Sequence, residues 1–138
     1  MTRHTNVSLV KIPRIPDARG NISFLQNLEQ VPFVIRKICW INDIPSGSER
    51  AGRASLVATE MVISLSGSFE VLTHNGTEAC TYMLNRPDEC LLIPKGHWRQ
   101  FRNFSTNSIV LTLSDVPDEQ EQVIEDFPTF EALLPDAN

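Results

Sequence analysis

Short apolar runs rich in β-branched and aromatic residues, separated by turn residues, extend through most of the chain. Such runs predict β-strands, because these side chains fit a pleated and half-buried surface. Nine strands at this spacing favour a sandwich or a barrel. The predicted strands are residues 7–12, 21–25, 33–41, 55–65, 68–74, 77–84, 89–93, 98–104 and 108–114.

Turn residues mark the connections between these runs. Asn75 and Gly76 stand between two of them and predict a two-residue hairpin of the primed type. Residues 85–88 and 94–96 contain proline with asparagine, aspartate or glycine and predict two further turns. The strands are therefore expected to form largely antiparallel sheets.

The end of the chain has a different pattern. Residues 118–124 are acidic, and a short helix is expected to begin at Pro128 and Thr129 and to end at Pro135. We interpret this region as a solvated tail with one docking turn, since a functional role would require it to close a pocket. The sequence thus predicts a single domain over residues 1–138, with a core at about 7–116 and an acidic tail at 117–138. The helical piece is expected to include Glu131, Leu133 and Leu134.

Composition narrows the classes of partner. The formal net charge of −5 argues against nucleic acid and against an anionic membrane surface. Cys39, Cys80 and Cys90 match no zinc-site spacing and lie in apolar runs, which predicts buried free thiols and suits a reducing cytoplasm. There is no signal-like segment and no uncharged apolar run of about 18 residues. A soluble, cytoplasmic protein is expected.

Two groups of residues have the spacing of known metal motifs. The first is Gly47, Arg53, Ser55, Glu60 and Gly67, and the second is Pro94, Gly96, Arg99 and Asn103. They resemble the two motifs of the cupin superfamily, in which three histidines and one glutamate hold a divalent ion. All three histidine positions are replaced here, by Arg53, Ser55 and Arg99, whereas Glu60 is retained. Asp88 stands where the second motif usually opens with glycine.

This replacement bears directly on metal binding. A guanidinium group keeps its proton at working pH and has no lone pair to offer a metal ion, and Glu60 alone would not hold one. The resemblance therefore implies an all-β cupin, a double-stranded β-helix or jelly roll with a short C-terminal helical piece. Neither a metal nor any other cofactor is expected.

Further segments have the pattern of one cupin group, namely residues 17–20, 32–38, 65–68, 98–99 and 104–105, with the acidic segment before Phe127. They resemble the WxcM-like sugar 3,4-ketoisomerases that act on dTDP-4-keto-6-deoxyglucose. This resemblance implies a metal-free homodimer that holds a nucleotide sugar at the barrel mouth. It also implies a reaction that moves a ketone from C4 to C3 through an enediol, which requires a base and an acid with pKa values near the working pH.

The departure from this group falls on its catalytic residues. The group carries two histidines in a run of Arg, Gly, any residue, His, Ala, His, and residues 50–55 here read Arg, Ala, Gly, Arg, Ala, Ser. Arg53 and Ser55 therefore occupy the positions of the proton carriers. Arg53 is suited to stabilising an enediolate but not to accepting a proton, and Ser55 is a very weak base. A tyrosine of the group is replaced by Cys39 or Trp40, depending on register.

The remaining candidate residues are expected to bind ligand. Arg19, Arg50 and Arg99 are candidates for a pyrophosphate, which guanidinium groups bind bidentately, with ordinary surface positions as the alternative. Trp40 or Phe24 is a candidate for stacking on a thymine ring, with core packing as the alternative. Glu60 faces away from Arg53 in a regular strand, but a β-bulge would turn it inward and make it the strongest remaining carboxylate base.

Three functional hypotheses follow. The first is a sugar-nucleotide isomerase relative acting in deoxysugar or surface-polysaccharide synthesis, with altered proton carriers or reduced activity. The second is a catalytically silent binding module or partner subunit that retains a pocket for a nucleotide sugar or a similar anionic small molecule. The third, a metal-dependent cupin enzyme, conflicts with the absent histidines.

Overall fold

Two five-stranded antiparallel sheets face each other in the computed structural model, which describes residues 6–133. This arrangement confirms the predicted jelly roll. The strands in this part of the chain are β1 (Ser8–Lys11), β2 (Arg14–Ile15), β3 (Ile22–Ser23), β4 (Lys37–Ile41), β5 (Arg53–Ser55), β6 (Glu60–Ser66), β7 (Phe69–His74), β8 (Ala79–Leu84), β9 (Glu89–Ile93), β10 (Trp98–Arg102), β11 (Ile109–Ser114) and β12 (Val123–Ile124).

The strand order places the two cupin-like motifs next to each other. The first sheet has the order β1-β9-β6-β11-β4, and the second has the order β12-β5-β10-β7-β8. β5 and β10 are neighbours in the second sheet, and Arg53 lies directly opposite Arg99. β2 and β3 form a separate two-stranded hairpin.

The space between the sheets is closed at one end by apolar side chains. Phe69 packs edge-on against Phe101, with 5.7 Å between the ring centroids, and stacks on Phe104 at 5.4 Å. We call this apolar region the closed end. The buried residues of its cluster are Val62, Phe69, Val71, Leu84, Leu91, Ile93, Phe101, Phe104 and Val110.

A second apolar cluster covers the outer face of the first sheet. Val31 and Phe33 are buried there together with Met61, Ile63 and Leu92. Phe33 therefore packs as part of a covering segment, and the predicted strand 33–41 forms only from Lys37 onward. The apolar pattern correctly predicted that these residues are buried. It did not distinguish residues that pack on a sheet from residues that form one of its strands.

The predicted strand 55–65 is divided, and Ser55 accounts for the break. Its Oγ accepts hydrogen bonds from the backbone N–H groups of Ala58, at 2.8 Å, and Val57, at 3.3 Å. A serine hydroxyl bonded to nearby backbone competes with strand pairing in this way. β5 consequently ends at Ser55 and β6 begins at Glu60, which changes the side-chain alternation between them.

The hairpin between β7 and β8 differs in detail from the expectation. His74 pairs with Ala79, so residues 75–78 form the connection rather than a two-residue Asn75–Gly76 turn. The Asn75 side chain accepts hydrogen bonds from the N–H groups of Thr77 and Glu78, at 2.9 and 2.8 Å. An asparagine that bonds to the following backbone stabilises a turn at its own position.

Part of the predicted acidic tail belongs to the fold. β12 pairs with β5, and the helix α1 (Phe127–Leu133) packs Phe130 against Trp98. Asp126 caps the helix by accepting a hydrogen bond from the N–H of Thr129 at 3.0 Å. The predicted helical piece with its docking turn is therefore confirmed, whereas the pairing of β12 shows that the segment before it is not a free solvated tail. Leu134 and Pro135 lie outside the described residues.

The cysteines only partly match the prediction of buried thiols. Cys90 is buried, and burial raises its pKa to about 12. Cys39 and Cys80 are exposed, because each lies on an edge strand of its sheet, and all three are free. In residues 6–133 no helix has both the length and the apolar composition that a membrane span requires.

Candidate active site

A cavity of about 540 Å³ opens between the two sheets at the end opposite the apolar core. Its walls come from β4, β5, β6, β10 and β11, and its rim includes residues that precede β5 and flank β12. We call this region the open end. The lining residues are Lys37, Cys39, Ile41, Glu49, Arg50, Ala51, Gly52, Arg53, Glu60, Arg99, Phe101, Thr112, Ser114, Glu121 and Glu125.

An ion pair between Glu60 and Arg99 lies at the base of the cavity. Arg99 Nε donates to Glu60 Oε1 at 2.7 Å, and Nη2 lies 3.4 Å from Oε2. The two side chains are only 14% and 11% exposed. The Arg99 guanidinium also lies 4.3 Å from the centre of the Phe101 ring, a cation–π geometry. The Arg99 guanidinium is thus held by the Glu60 carboxylate and by the face of the Phe101 ring.

This pairing decides the chemistry of Glu60. Burial favours the neutral acid, but Arg99, Arg53 and Lys37 outweigh it and hold the pKa of Glu60 below its ordinary value of 4.5. The break before β6 does turn Glu60 inward, as the alternative with a bulge anticipated. A carboxylate with a lowered pKa is a weak base, however, so the predicted base role does not suit it.

A second, much smaller pocket of about 10 Å³ adjoins the cavity and shares Arg53, Glu60 and Arg99 with it. Ser55 also borders this pocket, so the four positions of the cupin metal ligands meet here. His97 borders it as well and belongs to neither motif. The positions that the motif spacing assigned to one site are therefore close together in the structure, although three of them no longer carry a histidine.

The residues at these four positions do not fit a divalent metal ion. Arg53 and Arg99 carry positive charge and offer no lone pair, and Glu60 is occupied by Arg99. No group of three or more potential ligand side chains of histidine, cysteine, aspartate or glutamate occurs within the part of the chain that the structure describes.

Ser55 is held in place by its hydrogen bonds. Its Oγ donates to Glu121 Oε1 at 2.5 Å and accepts from the Ala58 N–H. Glu121 comes from the segment just before β12, so the C-terminal part of the chain reaches the site. Because the hydroxyl donates one hydrogen bond and accepts another, it links β5 to this segment. It is not free to act as a nucleophile or base.

Two of the four cations that line the cavity are already paired. Lys37 Nζ lies 2.5 Å from Asp118 Oδ1, and Arg99 is paired with Glu60. Among residues 6–133, no carboxylate oxygen lies within 4.0 Å of the side-chain nitrogens of Arg50 or Arg53. These two guanidinium groups are therefore available to an anionic ligand.

Gly52 allows β5 to lie close to its neighbour. A Cβ atom built at this glycine would be 2.5 Å from a carbon of the Trp98 indole, far inside van der Waals contact. The indole in turn packs against Phe127 and Phe130 of α1, at 5.2 and 5.9 Å between ring centroids. Gly52 thus sets the position of the strand that carries Arg53.

Two predicted ligand-binding residues do not lie at the cavity. Arg19 is in the loop between β2 and β3, where its side chain is 90% exposed and paired with Asp17. Trp40 is 63% exposed on the outer face of β4, because Lys37, Cys39 and Ile41 take the inward positions of that strand. The alternation also settles the open choice of register, since Cys39 faces the cavity.

Several lining residues were not anticipated. Lys37 was in a predicted strand, but its inward direction depended on a register that only the structure provides. Glu121 and Glu125 were assigned to a solvated tail, and their role follows from the pairing of β12 with β5. His97 is the histidine nearest to a pocket that the sequence predicts, but its place next to Gly96 favoured an exposed loop residue. The usable signal was that residues 97, 99 and 101 alternate onto one side of the chain.

Comparison with known proteins places the chain in a family. Residues 5–134 match the family described as FdtA: WxcM-like, C-terminal. The TDP-4-oxo-6-deoxy-alpha-D-glucose-3,4-oxoisomerase of Aneurinibacillus thermoaerophilus is 23% identical over 116 residues, which cover 83% of this chain and 84% of that protein. This match agrees with the resemblance found in the sequence.

Solved structures agree in fold. The WlaRB TDP-quinovose 3,4-ketoisomerase from Campylobacter jejuni has a TM-score of 0.87 at 29% identity, covering 94% of this chain and 99% of that one. A mutant of the 3,4-ketoisomerase QdtA from Thermoanaerobacterium thermosaccharolyticum, in complex with TDP-4-keto-6-deoxyglucose, has a TM-score of 0.87 at 23% identity, covering 94% of each chain. The match over residues 5–134 and the shared cupin fold together show that this chain belongs to the family described as FdtA: WxcM-like, C-terminal.

Proposed function

We propose that this protein binds a thymidine-diphosphate sugar at the open end and interconverts its 4-keto and 3-keto forms. The observation that carries the proposal is Arg53, a cation without a carboxylate partner among the described residues, on the wall of a cavity of about 540 Å³. Cavities of this size are typical of small-molecule sites. Relatives named as TDP-sugar 3,4-ketoisomerases supply the substrate class.

Two cations of the cavity that lack an ion-pair partner in the described part of the chain support an anionic ligand. No carboxylate oxygen within residues 6–133 lies within 4.0 Å of the side-chain nitrogens of Arg50 or Arg53, although Glu49, Glu121 and Glu125 also line the cavity. A diphosphate diester carries two negative charges at neutral pH, and guanidinium groups bind its oxygens bidentately. Arg50 lies at the exposed rim and Arg53 further in, so the diphosphate is expected to extend from the rim towards the Glu60–Arg99 pair.

Arg53 also suits the reaction intermediate. Removal of the C3 proton of a 4-keto sugar places negative charge on the C4 oxygen, and a fixed cation nearby stabilises that charge. Arg53 cannot itself accept the proton. The proposed role of Arg53 is therefore electrostatic, and that of Ser55 is to anchor β5 through Glu121.

The experiment that tests this proposal combines binding with isotope exchange. Calorimetric titration with TDP is expected to show binding, and replacing Arg53 by glutamine should weaken it roughly 10- to 100-fold, because a charge-assisted hydrogen bond is lost. Arg14→Gln, which removes an exposed arginine of β2 outside the cavity, is the matched control. Equal affinity of wild type and Arg53→Gln would remove Arg53 from the site.

Catalysis is measured separately. Incubation with TDP-4-keto-6-deoxyglucose in deuterated water should introduce deuterium at C3 of the substrate and C4 of the product. Binding of TDP without any exchange would identify a silent binding module instead.

Cys39 offers an independent test of ligand binding in the cavity, since it faces the cavity and Cys80 does not. TDP should slow alkylation of Cys39 and leave that of Cys80 unchanged.

A homodimer belongs to the same proposal. Ile38 and Trp40 on the outer face of β4, and Leu65 of β6, are exposed apolar side chains on the first sheet. A second copy of the chain would cover them and the free edge of β4. Light scattering should give the mass of a dimer, and Trp40→Lys should shift it towards that of a monomer. An unchanged dimer in this variant would exclude this surface.

The proposed cellular setting follows from the substrate class and the thiols. Deoxysugar or surface-polysaccharide synthesis consumes such nucleotide sugars, and the three free cysteines favour a reducing cytoplasm. The net charge of −5 disfavours nucleic acid as a partner.

A further inference from the structure

His97 lies just before β10, beside Ser55 at the end of β5. Trp98 pairs with Ala54 and Arg99 with Arg53, and extending this register by one residue brings His97 to Ser55. The Gly96 N–H donates to the Ser55 carbonyl at 2.8 Å, so Gly96 and His97 both adjoin Ser55 and the two segments are held together at this point. Facing residues of an antiparallel pair have Cβ atoms about 5 Å apart. An imidazole at 97 is therefore near the space that an imidazole at 55 would occupy.

The surroundings of the ring match that position. His97 is half-buried and borders the small pocket together with Arg53, Ser55, Glu60 and Arg99. Three of these residues also line the main cavity. Arg99 is two residues along β10, which corresponds to about 7 Å of strand. A sugar ring held against Arg53 and Arg99 would thus lie next to this imidazole.

The hydrogen bonding of the ring suits a base. His97 Nδ1 lies 3.0 Å from the Pro94 carbonyl oxygen. A carbonyl oxygen only accepts, so Nδ1 carries the proton and the neutral ring has its lone pair on Nε2. A histidine whose far nitrogen is fixed by an acceptor is the usual arrangement of a general base.

The other candidates for proton transfer that border the small pocket already have hydrogen-bond or ion-pair partners. Glu60 is paired with Arg99, and Ser55 is bonded to Glu121 and Ala58. His74, the other histidine in the described residues, lies on β7 and packs against Phe127 with 4.9 Å between ring centroids. It borders neither the cavity nor the small pocket.

We propose that His97 is the proton-transfer residue of this site, so that the catalytic imidazole has moved across the ladder from β5 to the start of β10. This inference rests on the proposed ketoisomerase function. Nε2 takes the proton from C3, the C–H electron pair becomes the C3=C4 double bond, and the carbonyl pair moves onto the C4 oxygen. The C3 hydroxyl proton then passes to that oxygen, the C3 carbonyl forms, and the imidazolium returns its proton to C4. No oxidant or reductant is needed.

The test compares deuterium exchange in His97→Gln with that in wild type and in the control His74→Gln. His97→Gln should lower the exchange rate by about 10²-fold or more, the usual contribution of a general base, while TDP binding and His74→Gln exchange stay near wild type. A double variant, Ser55→His with His97→Gln, returns an imidazole to the opposite side of the ladder and should recover exchange by about tenfold or more.

The outcomes separate the two proposals. Wild-type exchange that persists in His97→Gln would overturn the role of His97 and leave the ketoisomerase function standing. Absence of exchange in the wild type would overturn the ketoisomerase function and the role of His97 with it. Loss of TDP binding in His97→Gln, checked against its far-UV circular dichroism, would assign the residue to ligand binding or folding and also overturn proton transfer.

Discussion

The two ends of the barrel differ sharply although the same strands build both. At the closed end, Phe69 packs against both Phe101 and Phe104, and all three rings are buried. At the open end, the next inward residue of β10 is Arg99, whose guanidinium rests on the Phe101 ring at 4.3 Å. One step of side-chain alternation therefore separates an apolar core from a charged site. The comparison indicates that stability resides mainly in the first region and ligand chemistry in the second.

The largest effect is expected from a cavity made at the closed end. Phe104→Ala removes a ring that is fully buried and stacked on Phe69, and such truncations cost about 3–5 kcal/mol in free energy of unfolding. Urea denaturation measures the cost. Because Phe104 does not border the cavity, TDP affinity of the folded variant should match that of wild type. A large loss of affinity would show that the two ends are not independent.

A smaller loss is expected when the ion pair at the open end is broken. Arg99→Met leaves Glu60 without its main partner in a mostly buried place, which costs about 3 kcal/mol in free energy of unfolding. Replacing both partners, in Glu60→Leu with Arg99→Met, removes the unpaired charge and should restore stability to within about 1 kcal/mol of wild type.

The double variant decides how the pair acts. Equal destabilisation of the single and double variants would mean that packing, rather than an unpaired charge, sets the cost. TDP binding should stay weakened in both variants, because both lose a cavity cation.

The smallest effect is a dependence on pH. The folded pKa of Glu60 lies below the unfolded value, so its contribution to stability is present above the ordinary glutamate value of 4.5 and is lost as the pH falls through the folded pKa. The difference in free energy of unfolding between wild type and Glu60→Gln should be constant above about pH 6 and shrink in acid. A difference that grows in acid would reverse the assigned direction.

The closed end could be predicted from sequence, whereas much of the open end could not. Apolar alternation located β6, β7, β9 and β11, since buried strand faces leave a regular pattern. The direction of Glu60 depended on the Ser55 hydroxyl bonding to the Ala58 N–H, a local event that alternation does not encode. Trp40 and Cys39 could be assigned to faces only once the pairing of β4 with β11 was known.

The C-terminal residues show a different limit. Acidic composition indicated solvent exposure, yet Glu121 bonds to Ser55 and β12 pairs with β5. Two-residue strands leave almost no periodic signal, so their pairing is a consequence of the tertiary structure. Charge alone was therefore a poor guide to whether a segment belongs to the site.

The Trp98 indole links α1 to the wall of the cavity. It touches Gly52, directly before the strand that carries Arg53, and on its other side it meets Phe127 and Phe130 of α1. Anything that pulls this helix away would release the ring and loosen the wall behind Arg53. Ligand affinity therefore depends on a helix that does not itself border the cavity.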